Sequence, residues 1–319
     1  MIQIYIPTYE PSPLHLHAAV QSVLAQTETR WKMLIHDDCS QADVRTMLQP
    51  YLGDMRIKFQ QSPTRLGIGG NWNACLKQGE SAYVQYLFQD DQWEPTYLAD
   101  MLEVMEQHPS VGFASAEHVY ACETGIETAE MYQLVRDFRK TRIANGIHGH
   151  EEFLQFWIKH QLHPNVIGEP SFVMLRRSLT QEVGFFHEDM PQFLDVEYWL
   201  RCLVKSDWFY RNEDLGTFRV HRKGASAQNQ ESGAGIYDRL ECFETLIAAL
   251  PQGTLKKEAV EARNRALVIM AQKFFKRRQE GKKTPIKGGG KFKTFALQHP
   301  LLIARALFGA WQHGTGESL

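Results

Sequence analysis

The residues best suited to chemistry fall in short polar clusters. Asp90 and Asp91 are adjacent and follow the apolar run Tyr83–Phe88. Neighbouring carboxylates repel each other, and an oxygen-seeking divalent cation such as Mg2+ or Mn2+ relieves that repulsion while bridging to substrate phosphates. The same dipeptide also suits a solvated acidic turn that caps a helix. The segment RLGIGGN (Arg65–Asn71) precedes a helix-like run, where backbone N–H groups could meet phosphate. It matches neither the P-loop nor G-x-G-x-x-G, so taken alone it reads as a plain tight loop sooner than as a phosphate site. Asp195 and Glu197 open a helix-like stretch in FLDVEYWLR. A carboxylate there suits the helix dipole, and in a nucleotide-lined cleft it could act as a general base. His221, in FRVHRKGAS, is open to two roles, metal ligand or surface histidine. Its neighbours Arg219, Arg222 and Lys223 carry charge that could neutralise phosphate.

These clusters need elements to hold them. Ile2, Ile4 and Ile6 alternate within Met1–Ile6, which predicts a strand. Further short segments at Trp31–Ile35, Arg56–Gln60, Tyr83–Phe88 and Val111–Ser115 are read as four more. Between them lie helix-period segments: Leu16 to Leu24, Val44 to Leu52 with Ser40 as its cap, Trp72 to Leu76, and a helix from Pro95 through Met105. Strand and helix alternate to about Ser115, which predicts a parallel, doubly wound α/β sheet. Ligands bind outside the carboxyl ends of such strands. Thr8-Tyr9-Glu10, Asp37-Asp38 and Asp90-Asp91 all fall at those ends. Beyond Ser115 the pattern is irregular, with helices expected at Glu151–His160 and Asp195–Val204. A strand is expected at Ser171–Leu175, and two short strands within Asp207–Val220.

With 319 residues, 43% of them hydrophobic and 23% charged, the chain is long and apolar enough to bury a core, so whole-chain disorder is excluded. The five cysteines include no C-x-x-C pair, which excludes a zinc ribbon and favours a reducing compartment. No run of about 18 apolar residues or leader-like start is present, so neither a spanning helix nor a signal peptide is expected. Charge is uneven: residues 255–319 hold 14 Lys and Arg against 4 Asp and Glu, leaving 21 basic and 33 acidic residues in the rest. That tail reads as a basic helix (Leu255–Arg278), a glycine-bearing flexible linker (Lys282–Lys293) and an apolar segment (Phe295–Trp311). It suits an anionic membrane surface, or packing on the body or a partner subunit.

Taken in order, IPTYE, SVLAQT, LIHDDCS, RLGIGGNWNACL, YLFQDDQWEP, GEPSFVMLRRS, VGFF and FLDVEYWLR resemble the family 2 inverting glycosyltransferases of GT-A fold, from Met1 to about Ser226. The resemblance implies a Rossmann-like mixed sheet flanked by helices. Its nucleotide-binding half would span residues 1–115 and its acceptor half 116–226, followed by a helical basic extension, 227–319. It implies a nucleotide-diphosphate sugar donor, UDP-linked, with Mg2+ or Mn2+. Pro7, Thr8 and Tyr9 match the turn that lines the nucleotide, with Glu10 in place of the usual Asn. Asp38 matches the base-binding aspartate, and Arg65 and Asn73 the loop that encloses the nucleotide. Phe88 stands where the metal motif usually starts with Asp; Asp91 then matches the metal ligand and Asp90 a contact to ribose or the metal shell. Asp195 matches the general base, and His221 a loop residue near metal or diphosphate.

The implied acceptor is a saccharide or lipid-linked hydroxyl in cell-surface glycan synthesis, bound near residues 117–167 and Glu169. A cytoplasmic protein, peripheral on the inner membrane face, is expected, with no nucleic-acid partner. Two other readings stay open: a nucleotide-sugar-binding protein without catalysis, and a nucleotidyltransferase. The latter would want a basic glycine-rich signature that Ile6–Pro11 lacks.

Overall fold

In the computed structural model, β1 (Ile2–Thr8) is buried along its whole length, as a central strand covered on both faces must be. The structure describes residues 1–125, 129–222, 224–226, 229, 235, 237–279, 281 and 289–312. After β1 come α1 (Pro13–Leu24), β2 (Trp31–Asp37), α2 (Val44–Leu48), β3 (Ile57–Gln61), α3 (Gly67–Leu76) and β4 (Tyr83–Tyr86). β5 (Gln92–Trp93), α4 (Tyr97–Gln107), β6 (Val111–Cys122), α5 (Ala129–Arg142), β7 (Gly146–His148) and α6 (His150–Lys159) follow. A 3-10 turn (Pro170–Phe172) leads into β8 (Val173–Arg176), α7 (Arg177–Val183), α8 (Leu194–Lys205) and β9 (Asp207–Val220). The last described helices are α9 (Asp238–Ala249), α10 (Thr254–Gln279), α11 (Gly289–Gln298) and α12 (Pro300–Gln312).

The strands form one sheet in the order β3-β2-β1-β4-β8-β6-β9-β5, with β7 also pairing to β9. β1 to β4 run parallel, as the alternation predicts. β8 enters antiparallel between β4 and β6, so the sheet is mixed rather than wholly parallel. Alternate side chains of β1 serve opposite faces. Ile2, Ile4 and Ile6 join a core with α1, α2 and α4, while Tyr5 joins one with α3, α6, α7 and α8.

Four boundaries depart from expectation for identifiable reasons. β6 continues to Cys122 because Glu117 and His118, though polar, are buried in it; the apolar pattern stops where the strand does not. Asp207–Val220 is one strand, paired to β6 through register shifts around Glu117 that bend it. The cap of α2 is Asp43, whose carboxylate accepts from the Thr46 N–H at 3.0 Å, because the Ser40 hydroxyl is committed to Asp37. Of the expected linker, residues 282–288 lie outside the described residues, and Gly289 and Gly290 already begin α11. All five cysteines are free thiols, and no helix among the described residues is long and apolar enough to cross a membrane.

Candidate active site at the strand ends

The ends of β1, β2 and β4 meet at one rim. Below it lies a buried scaffold. The Thr8 hydroxyl donates to Asp37 at 3.1 Å, and the Thr8 carbonyl accepts from the Asp38 N–H and the Asn71 amide. Asp37 also accepts from the Ser40 N–H, the Ser40 hydroxyl and the Gln61 amide. Pro7 and Thr8 are therefore interior, whereas Tyr9 and Glu10 reach the surface. Glu10 takes a left-handed backbone (φ 43), donates its N–H to Ser40 and accepts from the Gln41 N–H. The Arg65 guanidinium lies 3.8 Å over the Tyr9 ring and donates to its hydroxyl at 2.8 Å. The Gln89 side chain grips the Tyr9 backbone, accepting from its N–H and donating to its carbonyl.

Asp38 and Asn73, expected at the nucleotide, have their side chains committed to the scaffold. The Asp38 carboxylate accepts from the Leu66 and Gly67 N–H groups at 2.6 and 2.9 Å. That contact satisfies the start of α3, so these two loop N–H groups are not open to phosphate. The loop glycines have steric tasks. Gly67 has φ +78, and a Cβ on Gly69 would come 2.8 Å from the Glu188 Cα. Asn73 brackets Phe186, donating to its carbonyl and accepting from its N–H, and donates also to Glu188.

The acidic pair splits its duties. Phe88, at the metal motif's first position, stacks on Trp72 with ring centres 4.9 Å apart. Asp91 is 0% exposed. Its two oxygens accept from the Ser171 hydroxyl at 2.6 Å and the Arg219 N–H at 3.0 Å. Burial, reinforced by the charge of Asp90, pushes its carboxyl well above the usual range. Asp91, expected as the metal ligand, thus has both oxygens engaged by protein donors, whereas Asp90 stands at the rim and accepts from His221 Nε2 at 2.7 Å. The hydrogen bond to Asp90 holds the His221 imidazole above its ordinary pKa. The carboxylate oxygen suits Mg2+ or Mn2+, and the imidazole nitrogen beside it suits Mn2+ better than Mg2+; an ion bound there would displace that proton and take its other ligands from phosphate and water. No group of three or more ligating side chains occurs among the described residues. The His15 ring lies 6.4 Å from that of His221.

Asp195 sits in the first turn of α8, half-buried. Its oxygens accept from the Val196 N–H and the Asn165 amide, each at 2.8 Å. Burial, with a contribution from the charge of Glu169, pushes its carboxyl up to about 7. Glu169 behaves oppositely. Burial raises it, but His118, 2.9 Å away, and Arg139 outweigh that and hold it below the usual carboxylate range. Tyr120 donates to Glu169. Behind these groups Arg139 forms a bidentate pair with Glu117, to which Tyr210 donates at 2.6 Å. The sequence reading names Glu169 but misses Asn165, His118, Arg139, Gln89 and Ser171. Only the polar pair Glu117-His118 prolonging an apolar strand offered a signal. Surface cavities of about 240 Å³ beside Arg30 and 340 Å³ beside Phe186 contain none of these groups.

A mixed sheet in this strand order, flanked by helices, has the architecture of the GT-A fold. The chain belongs to glycosyl transferase family 2, whose model matches residues 3–184, and it is a glycosyltransferase. It is 33% identical over 252 residues to an uncharacterized Mycobacterium tuberculosis protein, covering 77% of this chain and 76% of the relative. It is 32% identical over 268 residues to the putative teichuronic acid biosynthesis glycosyltransferase TuaG of Bacillus subtilis, covering 82% and 97%. Its fold matches the crystal structure of S. aureus TarS 1-349 in complex with UDP-GlcNAc with a TM-score of 0.62 at 16% identity, covering 98% of this chain and 80% of that one.

Proposed function

We propose that the protein transfers a sugar from a UDP-linked donor to a saccharide or lipid-linked hydroxyl in cell-surface glycan synthesis, with inversion at the anomeric carbon. The observation that carries this is Asp195: a half-buried carboxyl lifted to about 7, oriented by Asn165. A base poised near the working pH takes an acceptor proton most effectively. As the acceptor oxygen bonds to the anomeric carbon, its proton passes to Asp195 and the bond to the diphosphate oxygen breaks with its electron pair. Asp90 and His221 would hold the divalent ion, which supplies charge stabilisation for the departing diphosphate. Tyr9, half-buried, and Arg65, exposed and stacked on it, would flank the nucleotide at the rim. Glu169, kept ionised by His118 and Arg139, is placed to accept from a hydroxyl of the acceptor. TuaG's name points to cell-surface glycan, and the TarS complex to a UDP-sugar. In this reading residues 1–226 form the catalytic unit, and 227–319 buttress it.

Titration calorimetry with UDP, with and without Mn2+, together with turnover assays, tests the assignment. Asp195→Asn should lower turnover by at least about 100-fold and leave UDP affinity unchanged. Asp90→Ala should abolish the metal-dependent part of UDP binding. Equal loss of binding and turnover in Asp195→Asn would remove its role as base. A catalytically inert binding protein, by contrast, would bind UDP and turn over no donor at all.

A further inference from the structure

Helices α11 and α12 carry two apolar faces, and the fold uses one. Phe295 and Ala306 are buried against Leu240, Leu267 and Met270, with Leu302 and Ile303 packed beside them. On the same helices Leu297, Leu301 and Leu307 remain 82%, 77% and 43% exposed. A docked surface helix ordinarily turns polar residues to water; this pair turns leucines outward. Leu297 and Leu301 lie four residues apart on either side of the His299–Pro300 junction, where the His299 N–H donates to Phe295 and the Ile303 N–H to His299.

The surrounding chain is strongly basic. Residues 273–305 contain ten Lys and Arg and one Glu. Apolar side chains presented by a helix within a basic segment match the chemistry of an anionic bilayer surface. Leucines would enter the acyl boundary, and the positive charge of the segment as a whole would attract it to anionic headgroups. No helix among the described residues is long and apolar enough to span a membrane, so the contact would lie on the surface. We infer that the α11–α12 face docks the enzyme onto an anionic lipid surface, with Leu297 and Leu301 as the inserting residues. This stands on observations separate from the catalytic site, so either reading can fail alone.

Co-sedimentation of the full chain with vesicles tests it. One set is phosphatidylcholine alone, and the other is equal parts phosphatidylcholine and phosphatidylglycerol. Binding should be at least about tenfold stronger to the anionic vesicles and should fall at high salt. The double variant Leu297→Glu, Leu301→Glu should lose about tenfold of that binding. Met55→Glu, at a residue 97% exposed far along the chain in the α2–β3 connection, should leave it unchanged. Calorimetric UDP binding should match wild type in both. No vesicle binding, equal binding to both lipid compositions, or equal loss in Met55→Glu would overturn the inference. So would a wild-type dimer that the double variant converts to monomer, since the leucines would then be covered by a second copy.

Discussion

Asp195 occupies a place where a carboxyl is hard to ionise. Its folded-state pKa of about 7 lies above the ordinary value of 3.8, so the fold favours the protonated form. Its contribution to stability is full below pH 4, declines as pH rises from there to 7, and stays lost above 7. Asp195→Asn should therefore stabilise the protein while removing activity. The gain should grow between pH 4 and 7 and level off beyond, reaching about 1–2 kcal/mol, or a few degrees in Tm, by calorimetry at pH 8. A lower Tm at pH 8 would contradict it. Glu169 pushes in the same direction by its charge. Glu169→Gln should move the acidic limb of the kcat/KM profile to lower pH, and an unmoved or raised limb would dissociate the two carboxylates. At this scale the sequence identifies the acidic pair and Asp195 as candidate site residues but not which member of the pair reaches the rim. Asp90-Asp91 is symmetric as text. What separates the two is that Ser171 and Arg219, 80 and 128 residues further on, donate to the carboxylate of Asp91 and not to that of Asp90.

Elements hold these residues through polar anchors that hydropathy does not reveal. α5 is absent from the sequence reading, and its Met131 and Leu134 are indeed exposed; what fastens it is Arg139, buried against Glu117. Breaking a buried pair on one side strands the other charge. Arg139→Met should therefore destabilise by about 3–5 kcal/mol in urea unfolding, and adding Glu117→Gln should recover most of that loss. If the double variant is no more stable than the single, the pair is not the anchor. α8 is fastened differently. Asp238, at the start of α9, accepts from the Gln192 and Phe193 N–H groups just ahead of the turn that carries Asp195. Removing it leaves both donors unpaired, so Asp238→Ala should cost about 1–2 kcal/mol. It should also lower kcat while leaving UDP affinity intact, because it loosens the base and not the donor side. By contrast, β1, β2, β4 and the helices between them were legible from period alone, since they bury apolar stripes; β3, with only Ile57 buried, was legible from its place in the alternation.

The whole molecule raises the question of where the catalytic unit ends. Charge divides the chain into an acidic body and a basic tail that starts near residue 255, and the family resemblance, ending near Ser226, suggested a boundary there. Packing runs across it. Cys242, Phe243, Leu246 and Leu250 of the α9 region and Ala259, Ala262 and Ala266 of α10 share one core with Phe153 and Trp157 of α6 and Trp199 and Leu203 of α8. Charge patterning reports on the surface, and a helix can be basic outside and apolar inside, so composition alone could not reveal this shared interior. A chain ending at 226 would leave the outer face of α6 and α8 in water, an apolar area of the kind that drives association. Such a truncation should express as aggregate or unfold at a much lower temperature. The full chain should melt in one calorimetric transition through at least α10, with equal van't Hoff and calorimetric enthalpies. Two resolved transitions, with a stable 1–226 fragment after limited proteolysis, would show instead that the catalytic half folds alone and that the alanine face of α10 is a docked accessory.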